Sequence, residues 1–477
     1  MRAVTQFYIN GGWVAPLAGQ EVPVFNPSTE EAIATITLGG EVDTKAAVAA
    51  AKAAFPAWAQ SSKAERVAAL ERLAAAYDAR AEDMAQAISQ EMGAPISMAR
   101  ASQVAAGAGH FRDAIETLKG FAFEHVLSAD APRDMILREP VGVCALITPW
   151  NWPMNQVVLK VAPAIAAGCT VVLKPSEVAP LSSYVFAEIV DAADLPPGVF
   201  NMLNGDGPGV GTQLSSHPDV DMVSFTGSTR AGRLITKNAA DTIKRVALEL
   251  GGKGANLVFA DADEKAVPRG VAHCFNNSGQ SCNAPTRMIV EQARYAQAVG
   301  QAQARAEATK VAPAAGEGAH IGPVVSEAQW EKIQGLIQTG LDEGARLVAG
   351  GLGRPEGVNR GWFVRPTVFA DVTPDMTIYR EEIFGPVLSI AAFDGEDEAI
   401  EMANDTVYGL TNYVQTSDME RARRVARACR SGMVEINGVG RSYGAPFGGY
   451  RQSGNGREGG SWGLEDFLEV KSVGGWA

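Results

Sequence analysis

Short apolar, β-branched runs alternate along this chain with longer segments in which apolar and polar residues follow a helical period. Between residues 141 and 259 the runs at 141–149, 170–175, 220–227 and 245–252 predict strands, with helices at about 156–167 and 182–193 between them. Apolar strands that alternate with helices are typical of βαβ units, whose parallel sheet is covered on both faces. This part of the sequence therefore predicts a nucleotide-binding α/β domain.

A second series of candidate strands follows residue 251, at 256–259, 287–291, 388–393 and 432–437. The same reasoning predicts a second α/β domain, with an active cleft between the two halves. The glycine-rich stretch at 448–460 is the clearest irregular segment near the end of the chain.

The N-terminal part combines a turn signal with helical patterns. Asn10, Gly11 and Gly12 lie at the centre of residues 8–14 and predict a small hairpin, because Asn-Gly readily adopts positive φ angles. Alanine-rich segments from 43 to about 60 and from 64 to about 91 predict two scaffold helices, the first with Asp43 as its N-cap.

Size and charge exclude several classes of protein. A chain of 477 residues is long enough for more than one domain. A formal net charge of -13 disfavours general binding to nucleic acid or to anionic membranes. The longest apolar runs are far shorter than the roughly 20 residues that span a bilayer, and no secretory signal opens the chain. The five dispersed cysteines favour a reducing cytoplasm, and no ligand spacing indicates a metal site.

Cys282 is the first candidate for chemistry, since it follows a run of Asn, Ser and Gly residues typical of a turn or a helix start. Backbone N–H groups in such a place can lower a thiol pKa from its free value of about 8.5 and so create a nucleophile. The alternative from the residue alone is a small buried apolar side chain.

Glu249 is the second candidate, because it is a carboxylate within an otherwise apolar strand that ends in paired glycines. Burial would raise its pKa and make it a base near neutral pH. The alternative is an edge-strand glutamate that faces solvent.

Asn151 is the third candidate, held in the frame Thr-Pro-Trp-Asn-Trp-Pro at 148–153 directly after a strand. A fixed side-chain amide is a good neutral donor to a developing oxyanion. The alternative is a turn asparagine beside core tryptophans.

These stretches occur together with four others, at 174–177 (Lys-Pro-Ser-Glu), 225–229, 381–386 and 446–449. Their order and spacing resemble the aldehyde dehydrogenase superfamily, and the resemblance extends from Asn26-Pro27 to the tail. It implies a fold of two Rossmann-like α/β domains and a small β oligomerisation arm. The implied cofactor-binding domain comprises residues 1–120 and 139–250, the catalytic domain 251–452, and the arm and tail 121–138 and 453–477.

The resemblance also implies a reaction. The Cys282 thiolate attacks the aldehyde, because a free aldehyde cannot readily release hydride, and the resulting thiohemiacetal passes hydride to the nicotinamide. The Asn151 amide and the backbone N–H of Cys282 are the implied oxyanion donors, and Glu249 activates the water that hydrolyses the thioester. Because this base is kept, the resemblance favours release of the free acid over transfer to coenzyme A.

For the cofactor, the resemblance implies NAD. Glu177 would accept hydrogen bonds from both ribose hydroxyls and repel a 2′-phosphate, whereas nearby Lys174 leaves NADP open. Gly227 and Ser228 open a helix whose N-terminus could hold pyrophosphate in place of the usual glycine fingerprint. The implied cofactor residues are Thr148, Pro149, Trp150, Lys174, Ser176, Glu177, Gly207, Gly211, Phe225, Thr226, Gly227, Ser228, Leu250, Gly251, Glu382 and Phe384.

For the substrate, the resemblance implies an aldehyde tunnel with an apolar sleeve. Arg441 departs from the aromatic residue often found at its position: if it faces the tunnel, an anionic aldehyde becomes plausible, and if it faces outward it is a solvated loop charge. The implied tunnel residues are Trp152, Leu159, Ser281, Asn283, Arg441 and Phe447.

The predicted arm, at about 121–138 with a C-terminal strand near 464–473, implies a homodimer or homotetramer through paired edge strands. Two other classes remain as alternatives. A thiol esterase could use Cys282 and Glu249 without redox chemistry, but it leaves Lys174 and Glu177 without a purpose. A non-catalytic binding protein has no need to keep thiol, base and amide together.

Overall fold

The structure, a computed structural model, describes residues 2–17 and 19–476. Its strands form two large and two small sheets. In chain order they are β1 (Arg2–Val4), β2 (Phe7–Ile9), β3 (Gly12–Val14), β4 (Gly19–Asn26), β5 (Glu31–Gly39), β6 (Glu124–Ser128), β7 (Ala131–Pro140), β8 (Val143–Ile147), β9 (Thr170–Lys174), β10 (Phe200–Met202), β11 (Met222–Thr226), β12 (Arg245–Glu249), β13 (Ala255–Val258), β14 (Arg287–Glu291), β15 (Arg346–Ala349), β16 (Thr367–Ala370), β17 (Val387–Phe393), β18 (Thr411–Gln415), β19 (Met433–Ile436) and β20 (Leu468–Gly474).

Helices cover the faces of the two large sheets. In chain order the α-helices are α1 (Glu41–Ala59), α2 (Lys63–Ala79), α3 (Ala81–Met92), α4 (Ile96–Met98), α5 (Ala105–Gly120), α6 (Pro153–Ala167), α7 (Leu181–Ala192), α8 (Thr212–Ser216), α9 (Thr229–Ala239), α10 (Ala266–Phe275), α11 (Tyr295–Glu307), α12 (Glu327–Asp342), α13 (Thr377–Arg380), α14 (Glu396–Asn404), α15 (Met419–Ala428) and α16 (Gly460–Glu465).

The first large sheet has the strand order β12-β11-β8-β9-β10-β2-β3. Strands β8 to β12 run parallel, and β8, β9 and β11 are buried along their whole length. This confirms the prediction of a parallel sheet covered on both faces. The predicted hairpin is also confirmed: β2 and β3 pair antiparallel around Asn10 (φ 55°) and Gly11 (φ 76°).

The second large sheet has the order β15-β16-β17-β14-β13-β18-β19, with only β15 antiparallel to its neighbour. The fold is therefore the predicted α/β fold with two sheets of this kind. The first sheet uses strands between residues 7 and 249, and the second uses strands between 255 and 436. The domain boundaries themselves stay a prediction.

A small sheet of order β20-β7-β6 joins the middle of the chain to its C-terminal end. All five residues of β6 are exposed, so one edge of this sheet is open among the described residues. It lies where the arm was predicted. The C-terminal strand, however, begins later than expected, because residues 460–465 form α16.

Two helix predictions are wrong in detail. Asp43 is not the N-cap of α1: the cap is Gly40, and the Asp43 carboxylate lies one turn in, where it accepts hydrogen bonds from the backbone N–H groups of Gly40 (2.9 Å) and Leu17 (2.7 Å). The helix predicted from 64 to about 91 is two helices, α2 and α3. They part at Arg80, and α3 then buries Met84 and Ile88 against the core.

Candidate active site

The carboxyl ends of five parallel strands meet at one edge of the first sheet. Because ligands of open α/β sheets bind at this edge, its loops are the natural cofactor site. Fourteen of the sixteen predicted cofactor residues stand at these strand ends or in the loops that follow them. They are Thr148, Pro149 and Trp150 after β8, Lys174, Ser176 and Glu177 at β9, Gly207 and Gly211 after β10, Phe225, Thr226, Gly227 and Ser228 at β11, and Leu250 and Gly251 after β12.

A cavity opens between the loops that follow β8 and β11. The chain proceeds from β8 through β9 to β10 on one side, and β11 then lies on the other side of β8, so the strand order reverses at this point. The cavity measures about 700 Å³, including the part open to solvent. Its wall consists of Pro149, Trp150, Asn151, Thr226, Gly227, Ser228, Leu250, Gly251, Cys282, Gln329, Lys332, Glu382 and Phe384.

Glu382, in the connection between α13 and β17, reaches this wall and closely approaches two glycines. Glu382 Oε1 accepts a hydrogen bond from the Gly252 backbone N–H at 2.8 Å. A Cβ atom on Gly251 would lie 2.2 Å from Glu382 Oε2, so this carboxylate occupies the space that any other residue would fill. Burial raises the pKa of Glu382. The remaining oxygen can accept hydrogen bonds from hydroxyl groups.

Cys282 lies in the loop just before β14. Its backbone packs against the loop that follows β12, the last strand of the first sheet along the chain. A Cβ on Gly252 would lie 2.6 Å from the Cys282 carbonyl oxygen. Asn277 (φ 52°) and Ser278 (φ 57°) hold left-handed backbone conformations just before this loop. Such conformations cost about 1–3 kcal/mol each in non-glycine residues and cluster at functional sites.

Hydrogen bonds tie Asn151 to the same loop. Its Nδ2 donates to the carbonyl of Gln280 at 3.0 Å, two residues before the cysteine. The backbone carbonyl of Asn151 accepts hydrogen bonds from Asn277 Nδ2 (2.8 Å) and from Gln103 Nε2 (3.1 Å). Since a primary amide carries two N–H bonds, one donor of Asn151 remains for another partner.

Glu249 is 2% exposed, and neither of its carboxylate oxygens has a hydrogen-bond partner among the described residues. Gly448 and Gly456 leave room for it: Cβ atoms there would lie 2.7 and 3.2 Å from Oε1. Burial, reinforced by the charge of Glu458, raises the pKa of Glu249 well above its ordinary value. This carboxylate is thus a proton acceptor whose pKa lies above that of a solvated glutamate.

The Cys282 thiol has a raised pKa, to about 12, because burial and the charges of Glu382 and Glu249 disfavour the thiolate. The backbone at the cysteine acts in the opposite direction as predicted, but it is outweighed. The expectation that the turn lowers this pKa is therefore wrong for the protein without bound ligands. A nearby positive charge would lower it.

Cys282 also lines a second cavity of about 880 Å³, including its open part, so the sulfur-bearing residue is a wall shared by two cavities. The second cavity also contains Glu458, which forms a buried ion pair with Lys160 at 2.5 Å. The other residues that line it are Ala106, His110, Trp152, Asn155, Gln156, Leu159, Asn283, Arg441, Ser442, Tyr443, Gly444, Ala445, Phe447 and Gly459.

Comparison with known proteins identifies the family. The family model described as the aldehyde dehydrogenase family matches residues 13–473. This chain belongs to the aldehyde dehydrogenase family.

Individual relatives agree over nearly the whole chain. A 3-succinoylsemialdehyde-pyridine dehydrogenase from Pseudomonas is 50% identical over 478 residues, which cover 100% of this chain and 99% of the relative. A crystal structure of an aldehyde dehydrogenase from Bartonella henselae matches with a TM-score of 0.99 and 57% identity, covering 100% of both chains. A mutant of aldehyde dehydrogenase C from Pseudomonas syringae, in complex with NAD+ and octanal, matches with a TM-score of 0.97 and 51% identity, covering 99% of this chain and 97% of that one.

The aldehyde dehydrogenase fold brings together most of the residues predicted from the sequence, but not all of them in the cavity walls. Asn151 and Cys282 share the first cavity, whereas Glu249 lines neither cavity. Ser281 is absent from the second cavity's wall but accepts a hydrogen bond from Trp152 Nε1 at 2.8 Å. The cofactor predictions that lie at the sheet edge without lining the first cavity are Thr148, Lys174, Ser176, Glu177, Gly207, Gly211 and Phe225.

Sequence reasoning missed residues on both sides of Cys282. In the first cavity these are Gln329 and Lys332, which bind the carbonyl groups of Phe384 (2.8 Å) and Glu382 (2.9 Å). In the second cavity they include His110 and Glu458. Residues 329 and 332 are polar residues of α12, whose sequence is typical of a surface helix. No sequence signal therefore separates them from ordinary surface residues.

No helix in the described ranges is long and apolar enough to cross a bilayer. Within residues 2–17 and 19–476, no group of three or more His, Cys, Asp or Glu side chains could hold a metal ion.

Proposed function

We propose that this aldehyde dehydrogenase oxidises its aldehyde to the free carboxylic acid with NAD, through a thiohemiacetal and then a thioester on Cys282. The observation that carries the proposal is the position of Cys282 as the common wall of two cavities. A nucleophile placed there can contact a substrate in one cavity and a cofactor in the other.

The first cavity has the features that a dinucleotide requires. It lies where the strand order reverses, and the N-terminus of α9 follows Gly227 and Ser228 in its wall. Glu382 presents a carboxylate oxygen for ribose hydroxyls, and Trp150 packs edge-on against Phe384 at 5.5 Å. When bound, NAD supplies a hydride acceptor and the positive charge of its nicotinamide ring.

Glu177 supports NAD over NADP. Its carboxylate is about one-third exposed and lies 3.2 Å from Lys174 Nζ, while that lysine is almost fully buried and also donates to the Pro175 carbonyl at 2.7 Å. With its charge partly engaged, Lys174 offers little to a 2′-phosphate, whereas the Glu177 carboxylate can accept from hydroxyl groups. The ratio of kcat/KM for the two cofactors tests this preference.

The chain's own residues account for the covalent steps. Cys282 first releases its thiol proton to solvent; the sulfur then forms a bond to the carbonyl carbon, and the π electrons move to the oxygen, where the free N–H of the Asn151 amide can donate. Once the carbon has lost its hydride, the product on the sulfur is a thioester. Water then attacks this thioester, Glu249 accepts the water's proton, and the acid leaves as the thiol is restored.

Burial raises the pKa of Glu249, which makes this carboxylate a stronger base than a solvated glutamate and so suits the role. Lys160 and Glu458 form an ion pair, and the charges of both residues act on Glu249.

Rapid mixing of enzyme, aldehyde and NAD tests the proposal through two variants. Glu249→Gln should give a burst of NADH near one equivalent per site, followed by turnover at least about 10²-fold slower, because only hydrolysis is impaired. Cys282→Ser should give no burst. Unchanged steady-state turnover in Glu249→Gln, or aldehyde oxidation by Cys282→Ser, would contradict the mechanism.

The open edge of the β20-β7-β6 sheet supports the predicted oligomerisation arm, since an unpaired edge strand is a ready partner for a second copy. We infer a homodimer or homotetramer, which light scattering on the purified protein would distinguish from a monomer. A cytoplasmic location stays a prediction.

A further inference from the structure

The second cavity contains a guanidinium with unused hydrogen-bond donors. Arg441 Nε lies 3.5 Å from Glu435 Oε1, and the guanidinium carbon lies 4.9 Å from the centre of the Phe447 ring. Among the described residues, the buried Nε of Arg441 has no hydrogen-bond partner. The side chain is 25% exposed, so Arg441 is not the solvated loop charge that the sequence left open.

Arginine has five N–H donors in a planar fork, and four of them lie on the two terminal nitrogens, away from the long Nε contact with Glu435. The guanidinium carbon lies over the Phe447 ring, and this cation–π contact restrains the position of the fork. A fixed set of free donors in a cavity wall is a recognition element for an acceptor oxygen.

Charge balance decides which acceptor fits best. Glu435 is 8% exposed and faces Arg441, so the pair together carries no net charge. The other charged group of the wall, Glu458, is paired with Lys160. Burial lowers the pKa of His110, which keeps that ring neutral near pH 7. The cavity thus offers directed donors without an excess of positive charge.

A series of contacts through Glu435, Tyr413 and Asn283 connects Arg441 to the nucleophile. Glu435 on β19 pairs in register with Tyr413 on β18. The Tyr413 hydroxyl donates to the carbonyl of Asn283 at 2.5 Å, and Asn283 directly follows Cys282. Apolar surface from Trp152, Leu159 and Phe447 lines the same cavity. A substrate held at the sulfur therefore meets this apolar surface in a cavity whose wall also carries the Arg441 guanidinium.

We propose that Arg441 is a specificity-determining residue that selects aldehydes with a second, uncharged carbonyl oxygen, such as a ketone, ester or amide, away from the reacting group. The proposal rests on the proposed function and names the substrate class of that same site.

Three aldehydes of similar size test it: pentanal, 4-oxopentanal, which adds a ketone oxygen, and 4-oxobutanoate, which ends in a carboxylate. The measured quantity is kcat/KM for each, expressed as a ratio to pentanal. The ratio for 4-oxopentanal should exceed one in the wild type and fall about tenfold in Arg441→Met, since a hydrogen bond to a charged group is worth this much or more. Arg423→Met removes an exposed arginine on α15 and should leave the ratio unchanged.

Two further variants sharpen the result. Arg441→Lys keeps the charge but loses the fork, so its ratio should fall between those of the wild type and Arg441→Met, and it decides the question if the methionine variant does not fold. Glu435→Gln removes the compensating charge and should raise the ratio for 4-oxobutanoate several-fold over that for 4-oxopentanal. Equal ratios in the wild type and both Arg441 variants would overturn the proposal, as would a loss confined to 4-oxobutanoate or an unresponsive Glu435→Gln variant.

Calorimetry on a Cys282→Ala background separates this inference from the proposed reaction. Without the thiol, 4-oxopentanal should still bind more tightly than pentanal, and Arg441→Met should remove the difference. If binding follows this pattern while the wild type oxidises no aldehyde, the proposed function alone fails. If oxidation proceeds but the binding difference is absent, the role of Arg441 fails.

Discussion

The two cavities that meet at Cys282 are built in different ways. The first is bounded largely by residues at the carboxyl ends of parallel strands, where a Cβ on Gly227 or Gly251 would lie 2.4 or 2.2 Å from a neighbouring side chain. The second is bounded by side chains, from α5, α6 and the loop at 437–447. Residues at closely packed strand ends are fixed by the fold and accept few substitutions, whereas side chains on helices and loops can change one residue at a time. The difference explains how one fold can keep a cofactor and vary its aldehyde.

The comparison predicts that changes at the junction of the cavities have the largest effects. Asn151→Ala removes the amide that lines the first cavity and is tied to the cysteine loop by its hydrogen bond to Gln280. Loss of one oxyanion donor commonly costs about 10²- to 10³-fold in kcat. Steady-state NADH formation measures this loss, and calorimetry should find NAD binding within a few-fold of the wild type. A fall in kcat below about threefold would remove Asn151 from the chemistry.

The glycines that follow β12, beside the first cavity, should be the next most sensitive place. In Gly252→Ala the new Cβ would lie 2.6 Å from the Cys282 carbonyl oxygen, so the nucleophile loop must move. A displacement of about 1 Å at a reacting group can cost about 10²-fold in rate. Gly300→Ala on α11 is the matched control, because a Cβ there meets nothing within 4 Å.

Gly300→Ala should keep full activity and gain slight stability, as alanine favours a helix interior. Full activity in Gly252→Ala would mean that the loop yields without moving the sulfur, and the contrast between the two kinds of wall would fail.

The same contrast explains what the sequence could predict. The residues at the strand ends, such as Thr148 and Gly227, follow from the alternation of strands and helices, because a parallel sheet brings its carboxyl ends together. The resemblance then placed Cys282, Glu249 and Asn151 by motif. The alternation of strands and helices and the motif resemblance both describe the backbone and short segments of sequence.

Side-chain contacts between distant segments were beyond this reasoning. The buried pair of Lys160 and Glu458 joins residues 298 positions apart, and nothing in either local sequence announces it. Local grounds predict a lowered pKa for the Cys282 thiol, but burial raises it, and the charges of Glu382 and Glu249, remote in sequence, raise it further. Asp43 was assigned as a cap one turn too late for the same reason: Gly40 has no side chain to signal its position.

Cys282 belongs to both cavities, so its reactivity reports on both. With a pKa near 12, the thiol of the cofactor-free enzyme is almost fully protonated at pH 7, and the thiolate fraction rises with pH. Alkylation by iodoacetamide, followed by mass spectrometry, should accelerate about tenfold per pH unit between 7 and 9. Glu249→Gln removes a like charge and should raise the rate at a fixed pH several-fold. A rate that stops rising below pH 8 would contradict the raised pKa.

The smallest effect is expected in the side-chain wall of the second cavity. Trp152→Phe keeps an aromatic ring but deletes the donor that binds Ser281 Oγ at 2.8 Å, next to the nucleophile. The loss should be about 1 kcal/mol, or a few-fold in kcat/KM for pentanal, with the KM for NAD unchanged. Ser281→Ala removes the other partner, so the two substitutions should not add in the double variant. Additive losses would mean that this hydrogen bond does not hold the cysteine loop, and that Trp152 contributes to the cavity by shape alone.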